Sequence, residues 1–475
     1  MKPVRTRFAP SPTGFLHVGN VRAALFPWLV AKQNGGTFVL RVEDTDQARE
    51  VEGAVEYMRD TLQWLGMDWD EGPDTTGDFG PYVQSERKAL YLEWAQRMVL
   101  DGTAYADTRT PEELNALRED AKAQKKAFLA RDYRPENPVA WEPGMPLRFR
   151  STPKTYTWQD AIMGELSAGE EAVDDFILMK SDQFPTYNFA HIIDDNEMQI
   201  SHVIRGLEYI SSMPKYLNLY EALGFEQPVF AHAPHIMAPD GNKKLSKRDG
   251  AKSILQYRDE GFLPEAMLNF LASLGWNDGT EQEIFSREEL IEKFSLHRVQ
   301  RSGARFDEQR LLWMNGAWIR SLDVATLYAQ CITFWPGSAA SYADDYKMRV
   351  LGLVQERLKY FAELPELTGF FFEDLPLNME LIDGNKQLKK LEHSELKVML
   401  ETAKASLEQS DFSAADLTNR LNQLLETTDQ KPGVLFSLIR IASTQAPSSP
   451  ALAETLAVLG KEVSLRRITT LLGAL

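Results

Sequence analysis

Two short stretches of the sequence carry residue types that can hold a phosphate group. In the first, His17, Gly19 and Asn20 follow a loop rich in proline and glycine and precede an apolar run that begins at Val21. This order predicts a strand, a rigid loop and a helix, so that backbone N–H groups and the positive end of the helix dipole converge on one point. His17 adds a side-chain donor there. The alternative is an ordinary loop before a helix with a surface histidine.

The second stretch, residues 239–250, is strongly basic. It carries Lys243, Lys244, Lys247 and Arg248 between two glycine turns, in a chain whose formal net charge is −17. Cations held so close together need an anion or extensive hydration. Together the two stretches therefore favour a nucleotide phosphate site.

Both stretches resemble the signature sequences of class I aminoacyl-tRNA synthetases. Residues 17–20 resemble the HIGH motif, with Asn20 where that motif has a second histidine, and residues 244–248 resemble the KMSKS motif. Asparagine can still donate a hydrogen bond. The chain is more closely similar to bacterial glutamyl-tRNA synthetases, at residues 7–14, 41–46, 80–87, 180–182, 185–187, 203–208 and 313–316. The similarity is dense in the first half and rests on length and helical character in the second.

The resemblance implies ATP-dependent ligation of L-glutamate to the 3′ end of tRNA(Glu) through a glutamyl adenylate, in protein biosynthesis. ATP would bind with Mg²⁺. The alternatives are a catalytically inactive tRNA-binding relative and a nucleotidyltransferase of the same superfamily. The intact His17 and the stretch 244–247 argue against lost activity, and the long helical C-terminal part exceeds what a simple nucleotidyltransferase needs.

The resemblance also assigns roles to individual residues. The implied catalytic residues are His17, Lys244 and Lys247, which would stabilise phosphate charge. The implied ATP-binding residues are His17, Gly19, Asn20, Glu208, Lys244, Lys247 and Arg248. The implied glutamate-binding residues are Arg7, Ala9, Ser11, Glu43, Tyr187, His191 and Arg205.

The charges of the implied glutamate-binding residues suggest which group of the substrate each of them binds. Arg7 and Arg205 would hold the two carboxylates of glutamate, and Glu43 its ammonium group. A structural alternative pairs Arg205 with Glu208 or Asp195. A site of paired charges rejects glutamine strongly, so no editing domain is expected.

Alternating strand-like and helical runs at the start of the chain predict a parallel sheet. Glu43 follows the apolar run 38–42, at the strand end where such sheets bind ligands. Pro27 predicts a kink or an early end of the first helix. Another helix is expected to begin near Arg49, and further helical runs over 85–100, 111–131 and 253–274. Thr110, followed by proline and then Glu113, predicts a capped helix start.

The fold implied by the resemblance is a Rossmann-like parallel-sheet catalytic domain, split by an acceptor-binding α+β insertion and followed by an all-α anticodon-binding region. The expected boundaries are 1–83 and 180–250 for the halves of the catalytic domain, 84–179 for the insertion, 251–321 for a helical stem-contact domain and 322–475 for the anticodon-binding region. Glutaminyl-tRNA synthetases end in β-barrels instead.

The composition limits the possible disulfides, metal sites and cellular location of the protein. A single cysteine, Cys331, excludes an internal disulfide, and no structural zinc is expected near 105–109, where some relatives bind zinc through cysteines. No signal-peptide-like or membrane-spanning run occurs, so a cytoplasmic location is expected. The protein is also expected to be a monomer. The acidic net charge predicts that tRNA binds through local basic patches. Whether Gln355 or Arg357 decides between tRNA(Glu) and tRNA(Gln) stays open.

Overall fold

The computed structural model describes residues 3–75, 77–245 and 252–475. The chain forms two compact units. The first comprises Met1–Tyr257 and Pro264–Glu308, and the second comprises Arg258–Leu263 and Gln309–Leu475.

The first unit contains strands and helices. The strands are β1 (Arg5–Phe8), β2 (Thr37–Leu40), β3 (Ala104–Ala106), β4 (Leu147–Phe149), β5 (Tyr156–Asp160), β6 (Gly164–Ala168), β7 (Ile177–Met179), β8 (His202–Gly206), β9 (Val229–Ala233), β10 (Ile236–Met237) and β11 (Ala304–Arg305). Its helices are α1 (Val18–Gln33), α2 (Ala54–Trp64), α3 (Lys88–Leu100), α4 (Pro111–Ala123), α5 (Tyr187–Glu197), α6 (Met213–Leu223), α7 (Ile254–Asp259), α8 (Pro264–Ser273) and α9 (Arg287–Lys293). The next helix, α10 (Glu308–Ser321), lies almost entirely in the second unit.

Parallel strands form the centre of the first unit. β1 pairs with β2 in parallel from Arg5 opposite Thr37 to Phe8 opposite Leu40, and β8 pairs with β9 in parallel. The backbone N–H of Ser201, just before β8, donates to the carbonyl oxygen of Arg5 at 2.9 Å, which brings the two pairs side by side. This arrangement confirms the predicted Rossmann-like parallel sheet.

An antiparallel sheet of β3, β4 and β7 lies between the two halves of this fold in the chain, together with α3 and α4. Its apolar residues share one buried core with those of the parallel sheet, for example Phe149 with Phe189 and Phe230. The α+β insertion is therefore confirmed as part of the fold class. The five domain boundaries stay predictions.

The ends of the helices agree only in part with the local sequence signals. α4 begins as predicted, since Thr110 Oγ1 accepts from the backbone N–H of Glu113 at 3.2 Å and the Glu113 carboxylate accepts from the N–H of Thr110 at 2.8 Å. Its predicted extent to 131 is wrong, because the helix ends at Ala123 and Lys125 adopts a left-handed backbone with φ of 57°. The run 253–274 forms two helices, α7 and α8, because the chain turns at Gly261, whose φ is 84°, and α8 begins at Pro264.

The predicted early end of the first helix is also wrong. α1 continues through Pro27 to Gln33. Its residues Val21, Leu25 and Leu29 are completely buried, and this packing outweighs the cost of roughly 3 kcal/mol for a proline inside a helix. The helix expected near Arg49 begins only at Ala54, after a short 3₁₀ turn at Gln47–Arg49.

The second unit is helical. Its further helices are α11 (Val324–Gln330), α12 (Asp344–Val354), α13 (Leu364–Phe372), α14 (Glu380–Asp383), α15 (His393–Glu408), α16 (Ala414–Thr428), α17 (Pro432–Thr444), α18 (Leu452–Leu459) and α19 (Lys461–Leu472). No strand occurs in residues 309–475, all of which the structure describes. Leucines and isoleucines of α15 to α19 fill its main core. The predicted all-α C-terminal region is confirmed.

Two further observations concern the chain as a whole. Cys331 is completely buried, and burial raises the pKa of its thiol to about 12, which makes it unreactive. Within the described ranges, no helix is long and apolar enough to cross a lipid bilayer.

Candidate active site

A cleft of about 610 Å³ opens in the first unit beside the carboxyl ends of β1 and β8. It brings together every predicted site residue that the structure describes, with the exception of His191. The cleft residues from the prediction are Arg7, Ala9, Ser11, His17, Gly19, Asn20, Glu43, Tyr187, Arg205, Glu208 and Lys244. Lys247 and Arg248 lie outside the described residues.

His17 caps the first helix. Its Nδ1 accepts from the backbone N–H of Gly19 at 3.0 Å, and its own backbone N–H donates to Asn20 Oδ1 at 3.2 Å. Because Nδ1 accepts, the proton of the neutral imidazole resides on Nε2. His17 can therefore donate from Nε2 beside the positive end of the α1 dipole, where an anion is stabilised.

Gly19 makes this arrangement possible. A Cβ atom at Gly19 would lie 2.9 Å from Cε1 and 3.2 Å from Nδ1 of the His17 ring. Any larger residue would push the ring away from the helix terminus. The glycine is thus required by the imidazole, since the helical backbone itself does not need it here.

The basic stretch and the segments on both sides of it contact residues of the cleft. Lys244 Nζ, within the stretch, lies 3.2 Å from Glu208 Oε1, and His235 Nδ1, before the stretch, lies 3.6 Å from Glu208 Oε2. On the other side, Ser253 pairs with His17 in an antiparallel backbone bridge. Lys244 and Glu208 are both about half exposed, so their ion pair is weak and a polyanionic ligand can replace it.

Arg7 already has a carboxylate partner. Its Nε lies 3.1 Å from Asp195 Oδ1, and its Nη2 lies 3.4 Å from Oδ2. Arg41, completely buried, donates to the same carboxylate at 2.8 Å. Burial alone would raise the pKa of Asp195, but the charges of Arg7 and Arg41 hold it well below its ordinary value. Asp195 is therefore ionised and balances this end of the cleft.

Glu43 is held from behind by the same arginine. Arg41 Nη2 lies 2.9 Å from Glu43 Oε1. The backbone N–H of Glu43 donates to the carbonyl oxygen of Pro10 at 3.0 Å, which ties it to the loop that carries Ala9 and Ser11. Burial raises the pKa of Glu43 to about 7, although Arg41 opposes the shift. Glu43 therefore gains or loses its charge near neutral pH.

Arg205 is buried, yet it has no carboxylate partner among the described residues. Its Nη1 lies 3.3 Å from His191 Nε2, and its Nε lies 3.2 Å from His232 Nε2. The rings of Tyr209 and Tyr216 lie against the guanidinium at 4.8 Å each. The sequence-based alternative, a pair with Glu208 or Asp195, is not formed.

Both histidines are neutral. Nδ1 of His191 donates to the carbonyl oxygen of Tyr187 at 2.7 Å, and Nδ1 of His232 donates to Asp160 Oδ2 at 2.6 Å. Burial lowers the pKa of both rings, that of His191 to about 3, with the charge of Arg205 contributing. His191 thus supports Arg205 from behind the cleft, while the charge of Arg205 stays available to a ligand.

Tyr187 closes the pocket above His191. Its ring stacks on the imidazole at 4.6 Å between centroids and contacts Tyr209 at 5.3 Å. Burial raises the pKa of the Tyr187 hydroxyl well above its ordinary value, so it remains a hydrogen-bond donor.

Arg22 is a cleft residue that the sequence did not single out. It is almost fully buried on α1 and donates to the carbonyl oxygens of Leu274, at 2.8 Å, and Pro234. Burial lowers its pKa to about 10, against the influence of Glu208. Its position in the first helix, five residues after His17, is the only sequence feature that pointed to it.

Two sequence families match the chain. The family described as "tRNA synthetases class I (E and Q), catalytic domain" matches residues 3–313, and that described as "Anticodon binding domain" matches residues 326–472. Together with the parallel sheet and with His17, which caps α1, these matches define a class I tRNA synthetase.

Similar proteins show which family within the class I tRNA synthetases this chain belongs to. The chain is 43% identical over 473 residues to a glutamate–tRNA ligase of Dehalococcoides mccartyi, covering 98% of this chain and 96% of the relative. It is 41% identical over 475 residues to one of Clostridium novyi, covering 98% and 97%. A crystal structure of a glutamate tRNA ligase from Elizabethkingia meningosepticum in complex with its amino acid is similar along 100% of both chains, with a TM-score of 0.89 and 32% identity. The chain belongs to the glutamate–tRNA ligase family.

Proposed function

We propose that this chain joins L-glutamate to the 3′ end of tRNA(Glu) in an ATP-dependent reaction that passes through glutamyl adenylate. One observation carries the proposal from the site itself. Arg205 lies buried at the cleft wall without a carboxylate in contact among the described residues, whereas Arg7 and Arg41 are balanced by Asp195 and Glu43. A buried guanidinium of this kind requires an anionic ligand.

The side-chain carboxylate of glutamate supplies that anion. Arg205 can hold it in two-pronged geometry, with the hydroxyl of Tyr187 as a further donor. Glutamine has the same shape but no charge, so it would leave Arg205 buried and unpaired. Such a site rejects the uncharged analogue by a large factor.

The other groups of glutamate have partners at the same end. The carboxylate of Glu43 binds the ammonium group, and Ala9 and Ser11 form the adjacent wall. Arg7 lies where it can contact the α-carboxylate while it remains paired with Asp195. Each charged group of the amino acid is then matched by a group of opposite charge.

The α1 end of the cleft suits the triphosphate of ATP. The backbone N–H groups of His17 and Gly19 are used within the cap, so the donors for a phosphate there are His17 Nε2 and the side-chain amide of Asn20. Lys244 can leave Glu208 for a phosphate. Lys247 and Arg248 keep their proposed roles as phosphate contacts, although they lie outside the described residues. Mg²⁺ would bind to the phosphates of ATP and neutralise part of their charge.

The chemistry then requires little covalent work from the protein. The α-carboxylate of glutamate attacks the α-phosphorus of ATP and pyrophosphate leaves, so negative charge develops on phosphate oxygens. Preorganised donors such as His17 Nε2 stabilise that charge. A terminal ribose hydroxyl of tRNA next attacks the carbonyl carbon of the adenylate, which releases AMP.

The second unit offers a site for the RNA. Gln355 donates to the carbonyl oxygens of Ile319 and Leu322 at 2.9 and 2.8 Å, so it is used to complete the end of α10. Arg357 is exposed and can therefore reach a phosphate, and its charge acts on Arg440, whose pKa is lowered by burial and by that charge. The exposed cation supports Arg357 as the tRNA contact of the two candidates.

Aminoacylation with labelled glutamate tests the proposal. Purified tRNA(Glu) and tRNA(Gln) are offered with ATP and Mg²⁺, with His17→Ala and Lys247→Ala as controls. Charging of tRNA(Glu) alone is the expected result, and charging of both would indicate a nondiscriminating enzyme. If neither tRNA is charged while tRNA still binds, the proposal fails and the inactive-relative alternative replaces it.

Other parts of the proposal need their own measurements. We expect a cytoplasmic monomer without structural zinc. Size-exclusion chromatography with light scattering tests the oligomeric state, and metal analysis of the purified protein tests the zinc content.

A further inference from the structure

We infer that Asp195 is the positioning residue of the amino-acid end of the cleft: it fixes Arg7 directly, and Glu43 through Arg41. The inference deepens the proposed function and rests on it. Asp195 does not line the cleft and is only 2% exposed, so it acts through its neighbours and does not touch the substrate.

Helix α5 brings Asp195 to this place by its periodicity. Tyr187, His191 and Asp195 are spaced four residues apart, so they lie along one face of the helix. Tyr187 and His191 serve the side-chain end of the glutamate pocket. Asp195, one turn further, serves the end where the ammonium and α-carboxylate groups would bind.

The contacts form a chain of alternating charges. Asp195 accepts from Arg7 at 3.1 Å and from Arg41 at 2.8 Å, and Arg41 donates in turn to Glu43 at 2.9 Å. All four side chains are at least nine-tenths buried. Buried guanidinium groups lose hydrogen-bond directionality and repel each other when a shared carboxylate is removed. Asp195 therefore determines where Arg7 and Glu43 point.

The same geometry sets the charge of Glu43. The negative charge of Asp195 disfavours ionisation of Glu43, while Arg41 and Arg7 favour it. The other titratable or charged groups that face this pair are Tyr187, His191 and Asp194 from α5, Arg205 from β8, and Tyr209, Tyr216 and Tyr220 from the segment after β8 and from α6. Without the charge of Asp195, Glu43 ionises at lower pH.

Asp194 provides a matched control on the same helix. It is equally buried, but it accepts from Arg87 at 2.7 Å, from Gln84 at 2.8 Å and from the hydroxyl of Tyr91. Its closest approach to Arg41 is 3.8 Å. Substitution of Asp194 removes a similar buried charge without removing the support of Arg7.

The experiment compares steady-state aminoacylation by wild type, Asp195→Asn and Asp194→Asn over a pH series, with tRNA(Glu) at saturation. For Asp195→Asn we expect the KM for glutamate to rise about tenfold or more, the size typical when one partner of a buried charge pair is lost. The KM for ATP stays unchanged, and the acidic limb of kcat/KM moves to lower pH. Asp194→Asn keeps the wild-type limb.

Each outcome decides between the two claims. If wild type charges no tRNA, the proposed function fails. If wild type is active and Asp195→Asn retains its glutamate KM and pH limb, or Asp194→Asn shifts both equally, the role of Asp195 is overturned. If circular dichroism shows that Asp195→Asn does not fold, Asp195→Glu decides instead. It keeps the charge but displaces it, so a raised glutamate KM with an unmoved limb supports the inference, and wild-type kinetics contradict it.

Discussion

Nη1 of Arg205 lies 3.3 Å from Nε2 of His191, whose other nitrogen donates to the carbonyl oxygen of Tyr187. The imidazole therefore accepts from the guanidinium without neutralising it. A carboxylate in the same place would satisfy Arg205 fully and remove its need for an external anion. The neutrality of residue 191 is thus a functional property of the pocket.

A pair of substitutions at His191 isolates this neutrality. Asparagine and aspartate have nearly the same shape and differ in charge. We expect His191→Asn to keep most of the glutamate affinity and His191→Asp to raise the KM for glutamate by roughly a hundredfold, since Arg205 is then paired internally. Steady-state aminoacylation at varied glutamate concentration measures both. Equal KM values for the two variants would contradict the argument.

Replacement of Arg205 removes the anion site itself. In Arg205→Gln we expect kcat/KM for glutamate to fall by about a hundredfold or more, because the substrate carboxylate is buried without a partner. Arg205→Lys keeps the charge but loses the two-pronged geometry, so its loss is smaller. The KM for ATP serves as the internal control and stays close to that of wild type. A fall in ATP affinity of the same size would show a general collapse of the cleft.

The contact between His17 and Gly19 predicts that two different substitutions have one effect. His17→Ala removes a donor for transition-state charge, for which a loss of roughly a hundredfold in kcat is expected. Gly19→Ala forces the ring away, because the new Cβ atom would lie 2.9 Å from its Cε1. We therefore expect a similar fall in kcat, measured by steady-state aminoacylation at saturating substrates.

Gly337→Ala is the control for Gly19→Ala, since a Cβ atom at Gly337 meets no neighbour within 4 Å. It should leave kcat unchanged. If Gly19→Ala also leaves kcat unchanged, the position of the imidazole does not limit the reaction.

The pKa of Glu43 predicts a pH dependence. Because burial raises this pKa to about 7, part of the free enzyme carries a neutral Glu43 that cannot pair with an ammonium group. We expect kcat/KM for glutamate to increase with pH and to level off above about 7, since this ratio reports the free enzyme. In Glu43→Gln the limb disappears and the KM is high at every pH.

The same shift has a consequence for stability. Folded Glu43 binds its proton more tightly than the unfolded chain does, so its contribution to the free energy of unfolding is greatest below its ordinary pKa and declines as pH rises toward about 7. Glu43→Gln should therefore gain stability relative to wild type as the pH is raised through this window. Urea unfolding at several pH values measures the difference.

A network of buried charges stabilises the insertion. Asp175 accepts from Arg134 at 2.6 Å, from the hydroxyl of Ser151 at 2.7 Å and from Tyr105 at 2.9 Å. We expect Asp175→Asn to lower the free energy of unfolding by roughly 2 kcal/mol, less than for a fully buried pair, because the side chain of its partner Arg134 is 25% exposed. Thermal and urea unfolding measure the loss.

The sign of the pH effect follows from the same contacts. Burial would raise the pKa of Asp175, but Arg134 and Ser151 lower it, so its stabilisation is complete at neutral pH and is lost as pH falls. Asp132→Asn is the control, since Asp132 is exposed and 3.9 Å from its partner Arg131. A change beyond about 0.5 kcal/mol in the control would argue against a local effect.

Local sequence patterns predicted those turns and helix starts that depend only on residues close together in the chain. The capped start at Thr110 and the phosphate-suited turn at His17 are of this kind, because their hydrogen bonds span only two or three residues. The position of Glu43 followed from the apolar strand before it. Pro27 does not end α1, because the burial of most of the helix outweighs one lost hydrogen bond.

Contacts between residues far apart in the chain could not be predicted from the sequence. Arg7 and Asp195 are 188 residues apart, and nothing local shows that they meet. The neutral partners of Arg205 are His191 and His232, which come from two different elements. Their role also depends on which ring nitrogen carries the proton. Sequence patterns could suggest that Arg205 needs an anion, but they could not distinguish a carboxylate of the protein from one of the substrate.

The two imidazoles beside Arg205 also bear on how this gene can change. Histidine and aspartate codons differ in their first base alone, so a single mutation at position 191 or 232 can introduce a carboxylate against the guanidinium. Such a carboxylate would pair with Arg205 internally, and the pocket would no longer prefer an acidic amino acid. The selectivity of this protein for an acidic amino acid can therefore be lost through one base change at either of two histidine codons.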